Sequence, residues 1–263
     1  MGIKEKNQEK ILRMLRCRGS LNVSSAMKAL ALSEASVRRY FAEMERTGLV
    51  FRYHGGIRLI ADKNQSGYHF NDAVSAFAVS KRLIGITASR LITDHDRLFF
   101  DSGTTVMECG AALAERAGNA TVNDIRIVSN SLAFASNFTP FCQVILTGGM
   151  IRPERMDLCG NVALETIRRY HFTKAFLGTD AVVADGILST TDEETSILAA
   201  EVIAHSNEIF ILADSSKFGK ISFVPYASLA ERRITLITDH MADPEVIRKF
   251  QDSGIKIIIS DDK

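Results

Sequence analysis

Tryptophan is missing from the 263 residues, proline occurs only four times, and the four cysteines, Cys17, Cys109, Cys142 and Cys159, stand far apart. With no Cys-x-x-Cys pair and no histidine at zinc spacing, they support neither a metal site nor a disulfide framework, and the six histidines are equally scattered. No apolar run reaches the roughly 18 uncharged residues of a membrane helix, and the charged start Met1-Gly2-Ile3-Lys4-Glu5-Lys6 lacks the apolar core of a signal peptide. The expectation is a cytoplasmic protein. Neither Gly-x-x-x-x-Gly-Lys-Ser/Thr nor Gly-x-Gly-x-x-Gly occurs, so the common ATP and dinucleotide loops are absent and no cofactor is expected.

What is present is unevenly spread. A net charge of +1 conceals two opposite halves: residues 1–60 hold 12 of the 32 Lys and Arg but 5 of the 31 Asp and Glu, a net +7, which leaves −6 on the remaining 203 residues. A small basic piece joined to a larger acidic one suggests that the first meets a polyanion while the second does something else.

In the basic piece, Ile11, Leu12, Met14 and Leu15 give residues 4–16 the pattern of an amphipathic helix, with Gly19 as its stop. A short second helix opens around Leu21-Asn22-Val23 and carries Val23, Ala26, Met27 and Leu30. Ser33 then caps a third, whose Val37, Phe41 and Met44 form an apolar stripe and whose Ser36, Arg38, Arg39 and Tyr40 share the other faces. Three short helices with a tight turn before the last describe a helix-turn-helix. Paired arginines in a helix's first turns oppose its own dipole, yet that end of a recognition helix is the one that meets phosphates and base edges in the major groove of double-stranded DNA. Residues 49–60 read as two short strands about Gly55-Gly56, a wing that brings Arg52, Tyr53 and His54 to the DNA backbone. Residues 1–60 are thus expected to form a winged helix-turn-helix domain, residues 61–72 a polar linker, and residues 73–263 a second domain.

The second domain is expected to start with a helix from Ala73 to Ile92, in which Phe77, Ile84, Ala88 and Leu91 recur at helical spacing. From residue 97, seven apolar runs (97–100, 125–128, 143–146, 174–177, 208–212, 234–237 and 256–259) alternate with helical segments. Strands that are apolar throughout imply a mostly parallel α/β sheet covered on both faces, with ligands bound beyond the carboxyl ends of its strands. The candidates there are Asp101, Ser102, Gly103, Thr104 and Thr105, then Asn130, Gly148, Gly149, Gly178, Asp180 and Lys217. Hydroxyls and a glycine between a strand and a helix leave backbone N–H groups for a phosphate, and Lys217 would neutralise it. Gly148-Gly149 also reads as only a tight turn, and Asp180 and Asp239 as loop or cap acids.

The run Ser33 to Gly56, with its Ser-Glu-Ala-Ser-Val-Arg-Arg core and His54-Gly55-Gly56, resembles the DNA-binding domain of the DeoR family of bacterial transcriptional regulators. The later motifs Asp101-Ser102-Gly103-Thr104-Thr105, Thr147-Gly148-Gly149, Phe176-Leu177-Gly178, Gly186-Ile187-Leu188-Ser189-Thr190 and Asp214-Ser215-Ser216-Lys217-Phe218-Gly219 resemble its sensor domain in the same order. The resemblance implies a sensor fold similar to ribose-5-phosphate isomerase, an effector that is a phosphorylated sugar contacted by residues that include Glu194, operator DNA as partner, and a homo-oligomer, dimer or tetramer. Two positions depart from the family pattern: Tyr40-Phe41 stands where relatives usually carry Asp-Leu, and Leu198 where many carry Lys or Arg. The expected function is repression of a carbohydrate-utilisation operon, without catalysis. An activator shares every residue named, and Asp101, Asp180, Glu193 and Glu194 leave open a sugar-phosphate isomerase or deaminase with an attached DNA-binding domain.

Overall fold

The stripe Val37, Phe41 and Met44 is buried on α3 (Glu34–Arg46), where it packs with Ile11 and Leu15 of α1 (Ile3–Arg18) and Ala26 of α2 (Val23–Leu30). The computed structural model describes residues 3–18, 20–46, 50–53, 55–59, 70–138 and 142–261. Gly19, Gly48, His54 and residues 60–69, which include most of the expected linker, lie outside the described residues, as do the side chains of Cys17 and Tyr53. The chain divides into two compact units, Met1–Gly67 and Tyr68–Lys263.

In the smaller unit, α2 begins at Val23 rather than Leu21, because Leu21 belongs to a short strand, β1 (Ser20–Asn22). Asn22 supplies the cap, its Oδ1 accepting from the Ser25 amide at 2.8 Å. Ala31, in the left-handed region at φ 54°, ends α2 and makes the turn into α3. The hairpin strands β2 (Val50–Tyr53) and β3 (Gly56–Leu59) pair antiparallel about Gly55, whose φ of +94° is open to glycine at no steric cost. β1 adds to the far side of β3, so the wing is a three-stranded sheet.

The larger unit opens with two helices where periodicity suggests one: α4 (Phe70–Ser75) and α5 (Ala78–Ser89). The chain breaks at Ala76-Phe77, with Phe77 left-handed at φ 54°. No glycine or proline announces the break. Instead, the Lys81 ammonium donates back to the Ala73 carbonyl and caps the end of α4.

All seven apolar runs become strands of one sheet: β4 (Arg97–Phe100), β5 (Arg126–Ser129), β6 (Gln143–Leu146), β9 (Phe172–Gly178), β12 (Ser206–Leu212), β14 (Ile234–Thr238) and β15 (Lys256–Ile259). They lie in the order β15-β14-β12-β9-β4-β5-β6, every pairing parallel. Alternate side chains serve opposite faces. Phe99, Ala175, Leu177, Ile209 and Ile211 pack with α8 (Asn161–Arg168), α9 (Glu193–Ala204) and α10 (Pro244–Asp252). Leu98, Phe100, Phe176, Phe210 and Leu212 pack with α5, α6 (Thr104–Gly118) and α7 (Leu132–Phe138). Two additions escaped the sequence pattern because their strands are short and of mixed polarity: the hairpin of β7 (Met150–Arg152) with β8 (Asp157–Cys159), and a small antiparallel sheet of β10 (Ala181–Val182), β11 (Ile187–Thr190) and β13 (Val224–Ser228). Among the described residues no helix is long and apolar enough to cross a membrane.

Candidate functional site

Strand order reverses between β4 and β9, and a parallel sheet opens a crevice at such a point because its connections leave on opposite faces. The Asp101 carboxylate closes the seam from below: it is buried and accepts from the Gly178 amide at 3.2 Å. Burial pushes its pKa up, and the nearby Asp157 charge adds to that. Above it lies a cavity of about 140 Å³ walled by Asp101, Ser102, Gly103, Thr104, Thr105, Gly178, Asp180 and Lys217 together with Lys81, Arg155, Thr179, Thr190, Thr195 and Asp214.

Part of the cavity wall is cationic. The first turn of α6 lines it, and Gly103 at the cap position offers no side-chain acceptor to the helix's leading amides. Amides so exposed, with the positive end of the helix dipole behind them, favour an anion. Lys217 comes from a single 3-10 turn, Ser215–Lys217, fixed by Asp214 Oδ1 on the Ser216 amide (3.1 Å) and Asp239 Oδ2 on the Ser215 amide (2.8 Å). Asp239 is therefore a loop acid. Asp214 Oδ2 is buried with no partner among the described residues.

Lys81 brings a second ammonium to the same wall, though it is only 5% exposed. Burial lowers its pKa, with Asp214 acting in the opposite direction. Its height is set by Gly85. A Cβ there would lie 2.5 Å from the Glu108 carbonyl carbon, so α5 touches the backbone of α6. Further along, the Arg116 guanidinium donates to the carbonyls of Ser89 and Ile92. The two helices run parallel through these contacts, which sets Lys81, one turn before Gly85, level with Thr104, one turn before Glu108. Gly85→Ala is expected to cost about 1–3 kcal/mol of stability, as overpacked cores do, and to weaken anion binding by lifting Lys81 away. An unchanged urea midpoint would show that the helices part without cost.

Much of the remaining wall is polar. Asp180 Oδ2 accepts from Thr190 Oγ1 (3.0 Å) and from the amide and hydroxyl of Thr191 (2.9 and 3.0 Å). Arg152 binds Asp157 through two nitrogens (2.8 and 2.7 Å) and reaches Asp192 (2.7 Å) and Thr195 (3.0 Å), while Arg155 pairs with Asp192 at 3.1 Å. This cluster pins the β7–β8 hairpin to the start of α9 and so holds Arg155 and Thr195 in the wall.

Four expected contacts lie elsewhere. Gly148 and Gly149, at φ +72° and +113°, turn the chain from β6 into β7, and a Cβ on Gly149 would stand 2.4 Å from the Cys159 carbonyl oxygen. Their role is the turn. Asn130 is buried beside β8, where its carbonyl accepts from the Leu158 amide at 2.8 Å. At the start of α9 it is Thr195, not Glu194, that reaches the cavity. Leu198 is buried in the core, where it packs as an apolar residue. Lys81 is the main residue the sequence reading missed. Its signal was the stripe Phe77, Lys81, Ile84, Ala88, in which a lysine occupies an apolar face.

On the smaller unit, Ser33 caps α3, its Oγ accepting from the Ser36 amide at 3.4 Å and lying 3.0 Å from the Ser36 hydroxyl. Arg38 pairs with Glu34 at 2.7 Å. Arg39 is exposed and has no partner among the described residues. Arg52 of the wing is half-exposed, 3.9 Å from Glu45. Tyr40 departs from the expected DNA face: it packs on the unit's core and its hydroxyl accepts from Asn7 Nδ2 at 3.2 Å. Gly56 is likewise buried, in the strand pairing.

Residues 8–63 match the DeoR-like helix-turn-helix domain and residues 77–240 match the DeoR C terminal sensor domain. The chain belongs to the DeoR family. It is therefore a transcriptional regulator with a DNA-binding unit and a sensor unit. Among DeoR-family relatives, it is 29% identical to the lactose phosphotransferase system repressor of Lactococcus lactis over 94% of this chain and 95% of that one. It is 27% identical to an HTH-type regulator of Bacillus subtilis, YulB, over 95% and 94%. Among solved structures, ribose 5-phosphate isomerase A of Methanocaldococcus jannaschii aligns at a TM-score of 0.41 and 16% identity, over 58% of this chain and 56% of that one. The DeoR sensor unit thus coincides with the unit that carries the cavity.

Proposed function

We propose that this regulator represses a carbohydrate-utilisation operon and that a phosphorylated sugar in the cavity loosens its hold on operator DNA. The observation that carries the reading is one cavity whose wall combines the uncapped start of α6, Lys81 and Lys217 with hydroxyls and acids. The helix start and the ammonium groups suit a phosphate, whose oxygens accept from amides and ammonium groups. Asp101, Ser102, Thr179, Thr190 and Thr195 suit sugar hydroxyls, which both donate and accept. The carboxylates are committed to structural donors, Asp101 to Gly178 and Asp180 to Thr190 and Thr191, which favours holding a sugar over moving its protons. The Lactococcus relative is itself a repressor, which supports that reading. The regulator acts in the cytoplasm as a homo-oligomer, dimer or tetramer, because paired recognition helices read half-sites one turn of DNA apart, roughly 34 Å, or a multiple of that.

A panel of sugar phosphates and their parent sugars tests this by thermal shift and by gel shift on the protein's own promoter DNA. At a hundredfold excess over its Kd, the right ester should stabilise the protein by about 2.7 kcal/mol and release the DNA. The parent sugar should do neither. Lys217→Ala should keep DNA binding and lose the response. If no phosphate ester stabilised the protein or loosened its complex, the reading would fail.

A further inference from the structure

Lys81 faces two rival partners. Its ammonium sits on the cavity wall, level with the first turn of α6, yet it donates to the Ala73 carbonyl and so caps α4. Ala73, Ala76 and Phe77 line the same cavity, which makes the end of α4 part of its rim. Phe77 at the break is held left-handed, a conformation in which the Cβ crowds the following carbonyl oxygen. That strain persists only while the surroundings enforce it, and the Lys81 bond that spans the break is one of the contacts doing so. An anion on α6 outbids a carbonyl for an ammonium, because the ammonium meets a full negative charge there and only a dipole at the carbonyl.

We propose that an anion bound at the start of α6 draws the Lys81 ammonium off the Ala73 carbonyl, so that α4 loses its cap and turns about Phe77. α4 is the first described element after residues 60–69, the segment that joins the two units in sequence. Release of α4 therefore converts occupancy of the cavity into a change at the end of the connection to the DNA-binding unit. This rests on the anion site proposed above and adds the part that moves. A ligand shifts such an equilibrium only by its preference for one state, and here the preference is the bond from Lys81 to the anion, which exists only when the cap is open.

Hydrogen exchange of the full chain, read by mass spectrometry with and without inorganic phosphate, tests it. Phosphate should slow the amides at Thr104–Val106 and speed those of residues 70–77 by about fivefold, the factor set by one hydrogen bond of average strength. Slowing in α6 with α4 unchanged or slower would overturn the latch and leave the anion site standing. No change in α6 would remove the anion site and the latch with it. Lys81→Met should show the faster α4 exchange without phosphate, with no further rise on its addition. Protection of α4 equal to that of the parent chain would overturn the proposal. The parent-chain comparison decides the matter even if the variant does not fold.

Discussion

Arg152→Leu is expected to lower the stability of the sensor unit by about 3 kcal/mol, read as the fall in urea midpoint at neutral pH. The guanidinium is 16% exposed and ties Asp157, which is 2% exposed, to Asp192 at the start of α9. Removing one partner of a buried pair typically costs 3–5 kcal/mol, because a charge is left uncompensated away from water; the partial exposure, and Arg155, which stays 3.1 Å from Asp192, place this case at the lower end. The loss should also vary with pH. Burial alone would raise the Asp192 pKa, but the Thr195 amide and hydroxyl and the two arginines outweigh it and hold the carboxyl below its ordinary value. A carboxyl held low in the folded state contributes stability above its unfolded pKa, about 3.9 for aspartate, and loses it as pH falls through the folded value. The gap between parent and variant should therefore be widest near neutrality and narrow below pH 4. A constant gap from pH 7 to pH 3 would show that the arginine acts by packing alone.

Arg39→Ala should cost about 1–3 kcal/mol in binding to the protein's own promoter duplex, roughly ten- to a hundredfold, if the side chain makes a bidentate base contact. Arg38→Ala should cost less. Arg38 must first give up Glu34, an exposed helical pair worth about 0.3–0.5 kcal/mol, whereas Arg39 has no partner to give up among the described residues. Glu34→Gln should accordingly tighten the complex, since it frees Arg38 and removes a negative charge from the end of α3 that meets phosphates. Salt separates the kinds of contact. An arginine that meets only phosphate lowers the salt slope by about one when it is removed, and one that reads a base relaxes specificity at a single position. Equal affinity for all three variants and the parent would mean that α3 does not face the DNA.

These two regions differ in how openly the sequence displayed them. The seven main strands were legible because a sheet covered on both faces needs strands that are apolar along most of their length, as the central ones are. Val37, Phe41 and Met44 were legible for the matching helical reason. The cavity was half legible. Residues such as Asp101 and Thr104 follow directly from a strand end, but Arg155 arrives on a hairpin too short to carry a period, and Thr190 and Thr195 are brought in by the small antiparallel sheet and the start of α9. Asn130 and the Gly148-Gly149 pair sit at strand ends as well, yet on the far side of β4 from the seam, where the chain needs turns more than ligands. The break at Phe77 had no signal at all, because the partner that enforces it lies one turn ahead and acts through a backbone carbonyl.

The seam between β4 and β9 also sets the order in which the protein becomes competent. Asp101 and Gly178 meet across 76 intervening positions, so the cavity does not exist until the second of them has left the ribosome and docked, and long-range parallel pairing of this sort closes slowly. The three strands and three helices of the helix-turn-helix unit are complete within the first 59 residues. On the proposed function, a chain interrupted between these two events would keep its DNA-binding unit and be deaf to the sugar, a silencer with no release.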